Sequence, residues 1–318
     1  MASIHVIHEN AEWSAPLFRA LDALGLPYRD WHLDAGILDL GEPPPAGIFY
    51  NRMSASSHTR GHRYAPEFTA SVLEWLEGHG AWIINPRSAL RLELSKVAQY
   101  AALERLGIRT PKTVAAVGRD ALIRAAARMR GPFITKHNRA GKGLGVRLFE
   151  GADELRELLE RGAYELSVDG VNLVQEYIRA PSPHITRVEF VGRRLLYAVR
   201  VDTSGGFELC PADACGPGDA FCPAGSQGPV DKFRIVDRFE HPLVREYQRF
   251  LSAEQVDVAA FEFIEDEDGR AYTYDINTNT NYNPEAERRA GKSGMRALAD
   301  YLGRELARYS RGSESDAA

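Results

Sequence analysis

Between Ile4 and Ile84 the chain alternates short strand-like runs with helical patterns, and this alternation narrows the choice of folds more than any other feature. Ile4 to Ile7 is a β-branched run, and apolar residues from Glu9 to Leu24 recur at helical spacing. Gly25 ends that helix and Pro27 prevents its continuation. The loop from Glu42 to Gly47 leads into a second strand, Ile48 to Tyr50. Pro66 to Leu76 reads as a helix with proline in its first turn, and Ala81 to Ile84 as a third strand. Such a βαβαβ rhythm predicts a small parallel sheet, because parallel neighbours need crossover connections.

From Arg87 onward the pattern changes. The spacing predicts one long helix over Arg87 to Leu106, stopped by Gly107. Strands are then expected at Val114 to Val117, Phe133 to Lys136, Val146 to Phe149 and Leu173 to Tyr177. Further strands are expected at Thr186 to Val191, Leu195 to Val201, Val258 to Ile264 and Ala271 to Ile276. Helices are expected at Asp120 to Met129, Asp153 to Glu160, Pro242 to Leu251 and Ser293 to Tyr309. Ser204 to Asp231 is rich in Gly and Pro and is expected to be irregular, and the polar stretch Ser310 to Ala318 is expected to be a disordered tail. There is no internal repeat and no clear linker, so the parts should pack closely.

Composition excludes several classes. With 318 residues the chain is too long for one small core, so two or three subdomains are expected. Its 44% apolar and 26% charged content is that of a globular protein, and no apolar run reaches the ~18 residues of a membrane span. The net charge of -5 without a clustered positive face argues against nucleic acid as a partner. Met1 to His8 lacks the marks of a secretory signal, and three cysteines suit a reducing cytosol, so a cytoplasmic enzyme or binding protein is expected.

The acidic end carries the clearest chemistry. Glu262 lies on one strand and Asp275-Ile-Asn277 ends the next, with Asp266 to Arg270 as the hairpin turn between them. Residues two apart on a strand face one side, so Asp275 and Asn277 point together, and the hairpin partner can bring Glu262 beside them. Two carboxylates and an amide oxygen make a hard, oxygen-only site suited to Mg²⁺; the plain alternative is a solvated strand end. The run Asn277-Thr-Asn-Thr-Asn-Tyr-Asn283 is odd for a mere turn. A second cluster joins Lys136 to Gly141, Gly143 and Gly145, with Lys142 among them. It is neither a Walker A loop nor a dinucleotide fingerprint, yet its glycines would let backbone N–H groups approach a phosphate. Lys96 follows Leu92-Glu-Leu-Ser95, and Leu173 to Ile178 is an apolar strand ending in one acid.

In order and spacing, Lys96, the Lys136-to-Gly145 segment, Gln175-Glu-Tyr-Ile178, Arg187, Glu262 and Asp275-Ile-Asn277 resemble the ATP-grasp enzymes. Within them the chain resembles the branch that joins amino acids to peptide or small-molecule carboxylates, as the ribosomal-protein glutamate ligase does. The resemblance spans nearly everything from Ile4 to about Tyr309. It implies an α/β protein with a small N-terminal parallel α/β domain (1–93), a central lobe (94–178) and a C-terminal lobe with the magnesium site (179–309), ATP lying between the two α+β lobes. It implies Lys96 and Lys136 on the ATP phosphates, Gly141, Gly143 and Gly145 in a covering loop, and Gln175, Glu176, Tyr177 and Ile178 as the adenine hinge. Glu262, Asp275 and Asn277 would hold Mg²⁺, with Mn²⁺ as the alternative ion. Arg187 would lie by the transferring group, and Arg200 would stand in for a basic residue that the family carries where this chain has Gly206 to Cys210. The implied chemistry is phosphorylation of a carboxylate by ATP, then attack by an amine, with release of ADP and phosphate. The implied partners are a small-molecule or peptide carboxylate and an amino acid, and a homo-oligomer is left open.

Arg52, Arg60 and Arg63, with His58 and His62, crowd the loop after the second strand, where open sheets bind ligands. They read either as a clamp for an anionic substrate or as a solvated basic loop. Cys210, Cys215 and Cys222 fit no metal-binding spacing and read as reduced thiols. His5 and His8 read as strand-end residues, and Trp13, Trp31, Trp75 and Trp82 as core. Two rival functions remain: an ATP-grasp kinase acting on a hydroxyl, and a nucleotide-binding regulatory module whose catalysis has decayed, suggested by Glu208 and Cys210.

Overall fold

The computed structural model describes residues 2–141, 143, 145–204, 232–236 and 238–315. Lys142, Glu208, the three cysteines and nearly all of the Ser204-to-Asp231 stretch lie outside them. The elements run β1 (Ser3–His8), α1 (Ala11–Ala23), β2 (Tyr28–His32), β3 (Gly47–Asn51), α2 (Ala65–Gly78), β4 (Trp82–Ile84), α3 (Arg87–Leu94) and α4 (Lys96–Arg105). Then come β5 (Thr113–Val117), α5 (Arg119–Ala126), β6 (Phe133–His137), β7 (Arg147–Phe149), α6 (Ala152–Glu160) and β8 (Val171–Glu176). The chain ends with β9 (His184–Val191), β10 (Arg194–Asp202), β11 (Phe233–Val236), α7 (Leu243–Ala253), β12 (Val258–Glu265), β13 (Ala271–Asn277), α8 (Pro284–Ala290) and α9 (Gly294–Ser315).

The first sheet is parallel, in the order β2-β1-β3-β4. Every residue of β1 is buried, and its side chains alternate between two cores. Ile4 and Val6 pack with Leu17 and Leu21 of α1 and Leu298 and Leu302 of α9, whereas Ile7 packs with Phe49 and with Val72, Leu73 and Leu76 of α2. The last helix therefore covers the first sheet. It also continues through Ser315, so residues 310–315 are helical and not the irregular tail expected from their polarity. Trp82 is 40% exposed, against the expected core position, and the other three tryptophans are only partly buried.

The second sheet, β5-β8-β6-β7, is antiparallel and backed by α5 and α6. The third, β11-β10-β9-β12-β13, is antiparallel throughout and packs on α7 through Tyr247, Phe250, Phe190 and Phe261. Among the described residues no helix is long and apolar enough to cross a membrane.

The expected helix from Arg87 to Leu106 is two helices. Ser95 is extended (φ -142°, ψ 111°) and its side chain accepts a hydrogen bond from the Ala98 N–H, starting α4 afresh. Asn138 at the end of β6 satisfies the next two free donors: its carbonyl takes Lys96 N–H and its side chain takes Val97 N–H. The break puts Lys96 on the first turn of a helix fastened to β6. Gln99 and Tyr100 then fasten α4 to β13, since Gln99 exchanges two hydrogen bonds with the Ile276 backbone and Tyr100 donates to the Tyr274 carbonyl.

Candidate active site

A cleft of about 440 Å³ opens between the second and third sheets, with the loop after β3 at one end. Lys136 and Gln175 to Ile178 come from one wall, Ile185, Arg187, Glu262, Tyr274, Asp275 and Asn277 from the other, and Lys96 from α4. Glu262 and Asp275 are direct cross-strand partners on β12 and β13, and Ala260 pairs with Asn277. The hairpin thus brings the three oxygen-bearing residues together.

Cations neutralise this acidic pair. Lys96 Nζ lies 2.5 Å from Asp275 Oδ1, and the Arg187 guanidinium lies 2.8 Å from Glu262 Oε1 and 2.5 Å from Glu189 Oε1. Arg187 is 5% exposed; burial works against its charge, but Glu189 and Glu262 hold it firmly protonated. Tyr274 and Asn277 donate further bonds to Glu262. Lys136 has no carboxylate of its own among the described residues. Its Nζ donates to the Tyr274 carbonyl at 3.2 Å and faces the rings of Tyr100 and Tyr274. Burial, and then repulsion from Lys96, push its pKa down to about 7.

The asparagine run divides by parity. Asn277, Asn279 and Asn281 line the cleft, whereas Thr278 and Thr280 turn inward to Glu93 and Glu189. Asn283 caps α8 by accepting the Ala286 N–H. Glu93, missed in the sequence, lines the cleft and takes backbone N–H groups of Thr278 and Asn279, fixing the run to α3. Burial raises its pKa despite those donors.

The donor set fits a hard divalent cation. Glu262, Asp275 and Asn277 offer only oxygen to it, and the buried Asn279 Oδ1 beside them has no hydrogen-bond partner among the described residues. At the other wall, Gln175 bonds Tyr100 and Thr113, and the Glu176 carboxylate accepts the Lys112 N–H, leaving the 176–178 backbone along the cleft.

Lys136 is followed by a strap containing Gly141, Gly143 and Gly145. Gly145 has φ +74°, and a Cβ there would meet the His137 ring at 2.3 Å, so glycine is required. At its base Arg139 donates to Glu67 of α2, which Arg63 also holds. Burial would raise Glu67, but those two arginines bring its pKa down to about 2. Arg63 is therefore an internal ion-pair partner. So is Arg60, bonded to Glu9, which also accepts from His62. Arg52 alone of the three is unpaired with a carboxylate among the described residues. Arg200 is exposed on β10 opposite Thr186 and Arg234, and the cleft lining does not include it.

No protein-family model and no curated protein matches the chain. Solved structures do. A RimK domain protein from Sphaerobacter thermophilus superposes with a TM-score of 0.66 at 18% identity, over 94% of this chain and 99% of that one. The chain has the ATP-grasp fold. The ATP-grasp ligase PsnB, bound to a minimal precursor, matches with a TM-score of 0.67 at 16% identity over 95% of this chain and 98% of that one. D-alanyl-alanine synthetase A from Vibrio cholerae matches at 0.63 and 12% identity, over 96% and 98%. All three are ATP-grasp proteins covered almost end to end, so the likeness of fold extends over the three sheets and the cleft.

Proposed function

We propose that the chain is an ATP-dependent carboxylate–amine ligase, joining an amino acid to a small-molecule or peptide carboxylate. The observation that carries this reading is the convergence, in one cleft, of Lys96, Lys136 and Arg187 with Glu262, Asp275 and Asn277. Similarity to an ATP-grasp ligase solved with a minimal precursor and to a protein named D-alanyl-alanine synthetase supports it. A further structure of that ligase carries Mg and ADP. The reading keeps the division of the chain at residues 93 and 178, with ATP between the second and third parts.

In this mechanism Gln175 to Ile178 receive the adenine, and Lys96 and Lys136 receive the phosphates. Glu262, Asp275 and Asn277 would hold Mg²⁺, which when bound neutralises phosphate charge as it builds up. A carboxylate oxygen of the first substrate attacks the γ-phosphorus, the bond to ADP breaks, and Arg187 meets the charge on the transferring group. The amine nitrogen then attacks the acyl carbon, the C–O bond to phosphate breaks, and the amine gives up a proton. The strap at 141–145 excludes water, which would otherwise hydrolyse the acyl phosphate.

The test is ADP release with Mg²⁺-ATP and pooled carboxylic acids in the presence of hydroxylamine, which traps acyl phosphates. A pool-dependent hydroxamate is expected. Phosphorylated hydroxyl product, or nucleotide binding without turnover in every pool, would overturn the ligase.

Lys136 adds a pH signature. Its pKa of about 7 leaves it largely neutral in alkaline solution, and a bound triphosphate raises it again. Nucleotide binding should therefore take up a proton above about pH 7, and affinity should fall as pH rises through that range. Calorimetric titrations of a non-hydrolysable ATP analogue in two buffers of different ionisation heat measure the uptake. Identical heats in both buffers, or unchanged uptake in Lys136→Met, would contradict it.

A further inference from the structure

Arg52 is 2% exposed, at the end of β3, and no carboxylate among the described residues neutralises it. One terminal nitrogen donates to the Trp13 carbonyl at 3.2 Å and to Asn281 Oδ1 at 2.9 Å. The other, Nη1, is buried without a hydrogen-bond partner among the described residues. The ionisable groups beside Arg52 are two phenols, Tyr50 and Tyr282, whose pKa values burial raises, so both stay protonated and neither is a counter-ion. Both hydroxyls are themselves buried with no partner among the described residues. Three buried donors thus stand unsatisfied in one region, around a full positive charge. A buried charge without a counter-ion is costly, and buried polar groups are almost always bonded.

The region adjoins the cleft. Trp13 and Asn281, the two residues that hold Arg52, are both cleft-lining, and Asn281 belongs to the run that begins at Asn277. Four residues of extended chain span at most about 13 Å, so Asn281, which holds Arg52, lies within that distance of Asn277 on the carboxylate hairpin. Its electrostatics differ from those of Arg60 and Arg63, which Glu9 and Glu67 neutralise.

We propose that Arg52, with Tyr50 and Tyr282, binds a carboxylate that is not consumed in the reaction, the α-carboxylate of the amino-acid substrate, which takes over the place of Asn281 Oδ1. One uncompensated positive charge matches a monoanion better than a phosphate dianion. A guanidinium and two hydroxyls suit the two oxygens of a carboxylate. Asn281 lies in a stretch with no helix or strand, between β13 and α8, where a side chain can swing without breaking a ladder. The assignment rests on the ligase reading for the identity of the amine substrate, and it makes that substrate a free amino acid.

The test compares free amino acids with their carboxamides as ligands of the full chain, by thermal shift in the presence of Mg²⁺ and a non-hydrolysable ATP analogue. At least one free amino acid is expected to raise the melting temperature, and its carboxamide is not. In Arg52→Met the affinity for that amino acid should fall on the order of 30-fold or more, while the nucleotide-induced shift persists as a control for folding. Arg52→Lys, which keeps the charge but not the fork, should recover part of it. Stabilisation by acids and amides alike, equal affinity in Arg52→Met, or no stabilisation by any amino acid would overturn the assignment. Inorganic phosphate outcompeting the amino acid would do so too, in favour of a phosphate site. The acid–amide comparison needs no variant, and its outcome is independent of the hydroxamate assay. Acid-selective binding without hydroxamate would sink the ligase and leave the subsite standing.

Discussion

Asp275→Asn is expected to cut Mg²⁺-dependent ATP turnover by about 10²–10³-fold while leaving the protein folded. The substitution keeps size and hydrogen-bonding shape but removes the charge that faces Lys96 Nζ and would face the metal. Asp275 is the better of the two carboxylates to change, because its side chain is 21% exposed and its ion pair with Lys96 is reached by solvent. Glu262 is different. It is the buried partner of Arg187, so Glu262→Ala removes one of the two counter-ions of a buried guanidinium and costs stability as well as activity. The measurement is steady-state ADP release against Mg²⁺ concentration, beside a melting curve. Turnover unchanged in both rate and Mg²⁺ dependence would remove Asp275 from the metal site.

Asn85→Ala is expected to lose about 3–4 kcal/mol of stability, seen as a fall of roughly 10 °C in Tm. Asn85 is fully buried and sits at φ +57°, a left-handed conformation that asparagine tolerates and alanine does not. Its amide group donates to the carbonyls of Val258 and Thr278 and accepts from the N–H groups of Asp257 and Val258. One side chain thus fastens the end of the first sheet to the start of β12 and to the asparagine run of the cleft. Truncation leaves four buried backbone groups without partners. Asn85→Gly relieves the backbone and none of the hydrogen bonds, so it should recover only the smaller part, about 1 kcal/mol. Denaturant melts of both variants decide it; a loss below about 1 kcal/mol in Asn85→Ala would show that water replaces the side chain.

The parallel first sheet was legible because β1 and β3 are buried on both faces and read as continuous apolar runs. β2 was not, since Tyr28-Arg-Asp-Trp-His32 is an edge strand whose only burial is partial. The break at Ser95 was hidden by apolar residues that keep helical spacing across it; its cause is Asn138, over forty residues away. α8 was hidden by the asparagine run just before it, which drew attention for its oxygens, although Asn283 before Pro284 is a helix-start signal. At the site, Glu262 and Asp275 could be paired from a hairpin turn alone, because hairpin register is local. Glu93 and Asn85 could not, since what they bind lies some 170 residues or more further along the chain. The pairing of Arg60 with Glu9 and of Arg63 with Glu67 was not legible either, because the direction of those acids depends on how β1 and α2 pack.

The covering of the first sheet by α9 sets an order for making the protein. On a ribosome, β1 and α1 emerge long before α9, so the face formed by Ile4, Val6, Leu17 and Leu21 stays bare until Leu298, Leu302 and Leu306 have been added. An early segment is thus sealed late, and a nascent chain halted before Gly294 exposes a strip of aliphatic surface to chaperones and proteases until then.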